Sequence, residues 1–374
     1  MTNEKKVLIL TITCGEGHNS MAKAIASEIQ NQGSIAKIVD LFESDPKRLK
    51  SDNDNYLWCC KNIPHLYNIG WHIARKLKPK KLIKSIKMLN VKKFINPIKN
   101  VVDEFCPDAI VCVHNVAGTI ISYLKQQNLI DNSIKTYTLM FDYVLCPQWH
   151  TNVYLDYCIT PTEFCHKDLI NVGFEEKQLK CLGFAVNSKF CKRQDKLEAR
   201  KELGLEDKFT FFSIAGGNGL GSSLKLLKQI LKTKGDYQVI IVCGKNAKEK
   251  QKIDDFVTKN GIKNVKNYGF VNNINQLMNA SDIAFSRGGG NSVSECFYSG
   301  LPIIFRRGLI INEKENEKIF VKMGFAYSPK SNRDITKICQ FALDNPKIIY
   351  EQQQKILEFI KPNPTQNIAK FILN

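Results

Sequence analysis

At three points in this 374-residue chain an apolar run of strand length ends in glycines and gives way at once to an amphipathic stretch. The runs are Lys6–Ile12 before Gly15 and Gly17, Phe209–Ala215 before Gly216, Gly217, Gly219 and Gly221, and Asp282–Phe285 before Gly288, Gly289 and Gly290. A strand that is apolar almost throughout is buried on both faces, and that requires a parallel sheet covered by helices. Strand followed by helix, repeated along the chain, predicts doubly wound α/β architecture. Glycine at the turn lets a ligand approach the backbone, and the unpaired N–H groups of the following helix favour an anion. Open α/β sheets bind ligands at the carboxyl ends of their strands. The pattern therefore predicts a phosphate-bearing small molecule at these turns.

The alternation runs through both halves. Strands are expected at Ile35–Val39, Ala109–Val113, Thr136–Leu139 and Tyr154–Ile159, then at Tyr237–Cys243, Val265–Tyr268 and Leu301–Phe305. Helices are expected near Ser20–Gln30, Val116–Gln127, Thr162–Asn171, Leu220–Lys232, Ala247–Lys259 and Ile274–Asn279, while residues 44–100 read as irregular and helical. Between Gly183 and Asp195 the strand-like residues yield to a polar run. This places a linker there and predicts two Rossmann-like domains facing a cleft, 1–185 and 186–374. The last helical stretch, Pro364–Leu373, suits either half.

Charge is concentrated in one segment. The net charge is +18, which favours an anionic partner. Residues 75–99 hold ten Lys or Arg and no acid, among them Lys80, Lys81, Lys84, Lys87, Lys92 and Lys93. Leu82, Ile83, Ile86 and Leu89 can share one helix face, so the segment reads as a basic amphipathic helix for an anionic membrane surface. A solvated surface helix is the plainer reading. RNA is a rival ligand, weakened because Phe94 is the segment's one aromatic for base stacking. No apolar run approaches the ~18 residues of a membrane span, and MTNEKKVLILTIT reads as a strand rather than a signal peptide. Thirteen cysteines without a C-x-x-C pair read as free thiols of a reducing compartment, with no zinc site and no other metal expected.

Several residues could carry chemistry. His18 follows the first glycine turn, as a general base or as a helix cap; an imidazole with a pKa near ~6.5 suits proton removal at neutral pH. Phe141-Asp142-Tyr143 and His114-Asn115 end strands, and Trp149-His150 lies nearby. Glu295 has two readings: Ser292-Val-Ser-Glu295 is a capping box, or the acid accepts hydrogen bonds from ribose hydroxyls. Asn312-Glu313-Lys314-Glu315-Asn316 is a solvated helix start or a sugar contact.

In order, VLILTITCGEGH (7–18), LMFDYVLCPQW (139–149), VIIVCGKN (239–246), YGFVNNINQLMNASD (268–282), and SRGGGNSVSE (286–295) with EKEN (313–316) resemble the monogalactosyldiacylglycerol synthase family, especially its processive diacylglycerol glucosyltransferases. The resemblance covers nearly the whole chain. It implies a GT-B fold and inverting transfer of a hexose from a UDP-sugar to diacylglycerol or a glycosyl-diacylglycerol at the inner face of the cell membrane, with no cofactor and no bound metal. Carried over, His18 is the base and Asp142 supports the acceptor side. Gly17, Gly216, Gly217 and Gly219 line the diphosphate and sugar, and Phe270 and Val271 meet uracil. Arg287, Gly289, Gly290 and Ser292 hold diphosphate, Glu295 holds ribose, and Asn312, Glu313 and Asn316 meet sugar or phosphate. Two positions depart from the family pattern: its Lys-Pro is Arg287-Gly288 here, and its Gly-Gln is Ile311-Asn312. A soluble UDP-sugar epimerase or hydrolase of the same fold, and a non-catalytic UDP-sugar or RNA binder, are the alternatives.

Overall fold

The computed structural model describes residues 4–13, 16–41, 43, 82–146, 149–214, 222–306 and 310–374, together with 58, 62, 63, 65, 66, 68, 69 and 71; positions 82–92 are described by backbone alone. The chain divides into two compact units, Met1–Ser188 with Lys361–Asn374, and Lys189–Ile360.

The first unit is a six-stranded sheet of β1 (Lys6–Thr11), β2 (Ile35–Asp40), β3 (Ala109–Cys112), β4 (Lys135–Leu139), β5 (Tyr157–Thr160) and β6 (Leu179–Cys181) in the order β2-β1-β3-β4-β5-β6. Every pairing is parallel. Val7, Leu8, Ile9 and Leu10 are fully buried, as a run apolar at every position demands. Helices α1 (Gly17–Asn31), α2 (Leu82–Phe105), α3 (Asn115–Gln126) and α4 (Phe164–Asn171) follow or precede these strands. In α2, Phe94, Ile98 and Val102 recur every fourth residue and pack into the core with Leu8, Ile110 and Ile121. Phe94 is thus a core residue, and the aromatic that a base-stacking surface needs is inside the protein. Among the described residues, no helix is long and apolar enough to cross a membrane.

The second unit carries β7 (Phe209–Ile214), β8 (Tyr237–Val242), β9 (Val265–Tyr268), β10 (Ile283–Ser286), β11 (Ile303–Phe305) and β12 (Ala326–Tyr327), ordered β12-β11-β10-β7-β8-β9, again all parallel. Its helices are α5 (Lys196–Glu202), α6 (Ser223–Ile230), α7 (Ala247–Lys259), α8 (Ile274–Asn279), α9 (Gly290–Tyr298), α10 (Ile311–Lys322), α11 (Asn332–Asp344) and α12 (Pro346–Phe359). Side-chain caps fix several starts: Asp195 accepts from Leu197 and Glu198, Ser222 from Lys225, and Asn246 from Glu249. Strands β6 and β12, of three and two residues, are too short to show any periodicity in sequence.

The final helix, α13 (Pro364–Leu373), packs on the first unit. Thr365 Oγ1 donates to the Val186 carbonyl at 2.5 Å and accepts from the Val186 N–H at 3.0 Å. Phe371 meets Tyr137 and Tyr157 edge-on, and Ile368, Ala369 and Ile372 are buried.

Each sheet reverses direction once, between β1 and β3 in the first and between β7 and β10 in the second. Loops on either side of such a reversal diverge and leave a crevice. All three glycine turns follow strands that border a reversal.

Candidate active site

In the first unit, the reversal brings the turn after β1 beside the end of β3, where the Val113 N–H donates to the Leu10 carbonyl at 3.0 Å. His18 sits in the first turn of α1. Its Nδ1 lies 2.7 Å from the Val113 carbonyl. A carbonyl only accepts, so Nδ1 carries the proton and Nε2 keeps its lone pair. Phe141 lies over the imidazole at 3.9 Å between ring centroids, and His114 meets it edge-on at 4.6 Å. Burial pushes the His18 pKa down to about 4, against the opposing pull of the Val113 carbonyl. The ring is therefore a neutral acceptor throughout the physiological range.

The turn that carries His18 is braced by polar side chains. Asp40, at the end of β2, accepts from the Thr13 N–H at 3.0 Å and also bonds its hydroxyl. Asn19 donates to Thr13 Oγ1 at 2.6 Å and accepts from Thr11 Oγ1 at 2.9 Å. Gly17 lies under Phe141: a Cβ there would stand 2.3 Å from the ring. His18, His114 and Phe141 come together at the ends of the neighbouring strands β1, β3 and β4, and Asp142 is the residue after Phe141. His114 caps α3 by accepting from the Val116 N–H at 3.1 Å. Asp40, Asn19 and Thr13 drew no attention in sequence. The signal for them is a polar residue at a strand end whose partner lies in a neighbouring turn, which only strand order reveals.

In the second unit, α9 opens at Gly290, with Gly289 as its N-cap and no side chain capping it. Its first N–H groups have no intrahelical acceptor and form an anion-binding terminus. The capping-box reading of Ser292 and Glu295 fails because the helix starts two residues earlier, which puts Glu295 in mid-helix. There its carboxylate accepts from Asn291 Nδ2 at 2.7 Å. Burial raises the Glu295 pKa to about 7; the Asn291 bond and Lys189 act in the opposite direction. Lys189 also donates to the Asn272 carbonyl at 2.8 Å. One cation thus serves both Glu295 and the turn after β9, where Phe270 is 63% exposed and Val271 half-buried.

The glycines divide by role. Gly288 has φ +97°, and a Cβ there would come within 2.8 Å of the Glu313 carbonyl. Gly289 has φ −64°, and a Cβ there would meet no described atom within 4 Å. Structure alone demands glycine at 288 but not at 289. The start of α10 supports this loop. Asn316 is fully buried, and its amide donates to the Gly288 carbonyl at 2.8 Å. It braces the loop from within. Glu313 pairs with Arg287 at 3.2 Å, and Asn312 is buried beside it.

The sequence pairs the turn after β10 with the one after β11. The sheet order adds β7 on the other side, with the reversal there. Gly216, Gly217 and Gly219 follow β7 and lie outside the described residues, as do Lys80 and Lys81. Lys84, Lys87 and Lys92 fall on the backbone of α2; the exposed Lys93 lies 5.0 Å from the Phe94 ring.

Comparison with known proteins divides along the same line. The family described as Monogalactosyldiacylglycerol (MGDG) synthase matches residues 18–186. The Glycosyltransferase family 28 C-terminal domain matches residues 218–322. A relative from Bacillus pumilus, named processive diacylglycerol beta-glucosyltransferase, is 24% identical over 378 residues, covering 100% of this chain and 96% of its own. Among solved structures, MurG from Acinetobacter baumannii is similar with a TM-score of 0.66 and 14% identity, over 98% of this chain and 99% of that one. HepE from Anabaena, solved in complex with UDP-glucose, is similar with a TM-score of 0.56 and 14% identity, over 99% of each chain. Both carry the two-domain GT-B architecture.

Proposed function

We propose that this chain, which matches the monogalactosyldiacylglycerol synthase model over residues 18–186 and the glycosyltransferase family 28 C-terminal domain over residues 218–322, moves a hexose from a UDP-sugar to diacylglycerol or a glycosyl-diacylglycerol, with inversion, at a membrane surface. The observation that carries the reading is His18: a neutral imidazole, its tautomer fixed by the Val113 carbonyl, with Nε2 left to accept a proton.

The proposed chemistry is a single displacement. The acceptor hydroxyl attacks the anomeric carbon on the face opposite UDP. As the new O–C bond forms, the C–O bond to the diphosphate breaks, and the hydroxyl proton passes to His18 Nε2. A base with a pKa of about 4 is weak against a free alcohol. The hydroxyl becomes strongly acidic as its oxygen bonds to carbon, so a weak neutral base placed there suffices late in the step. Charge developing on UDP falls at the uncapped start of α9, where the helix dipole and free N–H groups stabilise it in place of a metal ion. Phe270 offers the uracil a ring, Glu295 the ribose an acceptor, and Asp142 supports the acceptor.

The lysines of 75–99 supply attraction to an anionic surface at roughly 1 kcal/mol each. Trp58, Leu66 and Ile69, just upstream, are exposed and add apolar contact. The test is incubation with UDP-glucose, UDP-galactose and UDP-N-acetylglucosamine on liposomes of diacylglycerol and anionic lipid, with products read by mass spectrometry. A glycosyl-diacylglycerol from one of the first two donors is the expected product. Free sugar or an epimerised nucleotide without glycolipid would sink the proposal.

A further inference from the structure

Arg306 has a role that neither the motifs nor the family resemblance assigns. It follows β11, and its N–H donates to the Ser286 carbonyl at 2.7 Å, so it continues the ladder beyond the Ser286–Phe305 pair. That puts it beside Arg287 at the lip of the glycine loop. Arg287 is neutralised by Glu313 at 3.2 Å. Among the described residues Arg306 has no such counter-ion: its Nη1 is buried and accepted by nothing.

Glu249 on α7 attracts Arg306 through space without forming an ion pair with it; its Oε1 is bonded at the start of α6, accepting from Ser222 Oγ at 3.2 Å and from the Leu224 N–H at 3.0 Å. Cys243, just after β8, also feels the guanidinium. In the sheet, β10 and β7 lie between β11 and β8. The guanidinium therefore acts across the carboxyl ends of β10 and β7, the two strands that flank the reversal and precede the glycine runs. Burial, and then Arg287, lower its pKa to about 10, so it stays charged at neutral pH. Burying a guanidinium with no ion pair and no acceptor for its Nη1 is costly, and a fold that keeps one there is poised for an anion.

We propose that Arg306 is a specificity-determining residue of the donor site, whose guanidinium takes the terminal phosphate of a nucleoside diphosphate and sets the preference for diphosphate over monophosphate. This rests on the UDP-sugar reading above. Arginine suits the task because its planar fork pairs two N–H groups with two phosphate oxygens. Glycine loop and helix start supply the remaining donors.

The experiment is calorimetric titration of the intact chain with UDP and with UMP, for the natural protein, Arg306→Met and Arg306→Lys, each first checked by thermal unfolding. One charge-assisted contact to phosphate corresponds to about a 10-fold loss or more. Arg306→Met is expected to bind UDP about 10-fold more weakly and to hold UMP within about 2-fold, and Arg306→Lys to recover part of the loss. Unchanged UDP affinity, or equal losses for UDP and UMP, would overturn the assignment. If Arg306→Met does not fold, Arg306→Lys decides between the same outcomes, through a loss confined to UDP. A folded natural protein that binds neither nucleotide would instead remove the UDP-sugar reading itself.

Discussion

The two half-sites solve opposite problems. Around His18 the ring's own surroundings are aromatic and buried: an imidazole between Phe141 and His114, held by a main-chain carbonyl and pushed to a low pKa by burial. Around Gly288–Gly290 it is rich in charge: an uncapped helix start, two arginines, and a carboxylate poised near neutrality. The difference matches what each must handle. A proton is taken by a lone pair that must not already be protonated. A diphosphate is held by fixed positive charge and N–H groups. Removing the base should therefore abolish chemistry while sparing binding, and disturbing the glycine loop should do the reverse.

The largest expected effect is at His18. His18→Ala should lower glycosyl transfer by about 10²- to 10⁴-fold, the usual worth of a positioned base, and leave UDP affinity within about 2-fold. Turnover and UDP titration on the same preparation check this. Equal losses in both would break the division between the half-sites. Because the folded pKa is about 4 against 6.5 unfolded, the neutral ring's stabilisation is complete above pH 6.5 and is lost as pH falls towards 4. His18 should thus contribute no limb to the pH–rate profile between pH 6 and 8.

Second in size is a contrast within the glycine loop. Gly288→Ala meets a left-handed backbone and the Glu313 carbonyl, and should destabilise the chain by about 2–3 kcal/mol. Gly289→Ala meets neither obstacle, so thermal unfolding should be unchanged while UDP affinity falls, because the new methyl occupies the ligand's approach. If Gly289→Ala binds UDP normally, the loop is only a turn. Gly288 is also where the family pattern has proline. A φ of +97° is closed to proline, so this chain turns the loop in a way of its own.

This contrast also explains what could be read in the sequence and what could not. The βα alternation and the glycine turns were legible because burial on both faces leaves an unbroken apolar run and a tight turn leaves glycine. His18 was legible as a candidate, but its tautomer and low pKa depend on Val113, 95 residues away, which only the parallel neighbour β3 supplies. Glu295 was ambiguous because a capping box and a ribose contact need the same residue; the helix start at Gly290 decided against the cap. Asn316 was read by type as a ligand contact; that its amide also donates to the Gly288 carbonyl depends on the packing of α10 under the loop, which sequence does not show. Arg306 was invisible because a cation in a loop looks solvated until its burial is known.

The smallest effect, and the sharpest probe of the charged half, is the titration of Glu295. Its pKa is raised from 4.5 to about 7, chiefly by burial. The protonated form is the one the empty fold prefers, so this stabilisation is full below pH 4.5 and is lost as pH rises through 7. Donor binding has the opposite sign, because ribose hydroxyls donate best to the ionised carboxylate. Between pH 6 and 8 the empty protein should therefore unfold at a slightly lower temperature while UDP affinity rises by up to about 10-fold, the ceiling for one group crossing its pKa by one unit. Glu295→Gln should flatten both trends, since an amide does not titrate and its shape is kept. Opposed slopes in the natural protein that vanish together in this variant assign the titration to Glu295. A UDP affinity that still climbs with pH in Glu295→Gln would move it to another group and break the link between this carboxylate and the nucleotide.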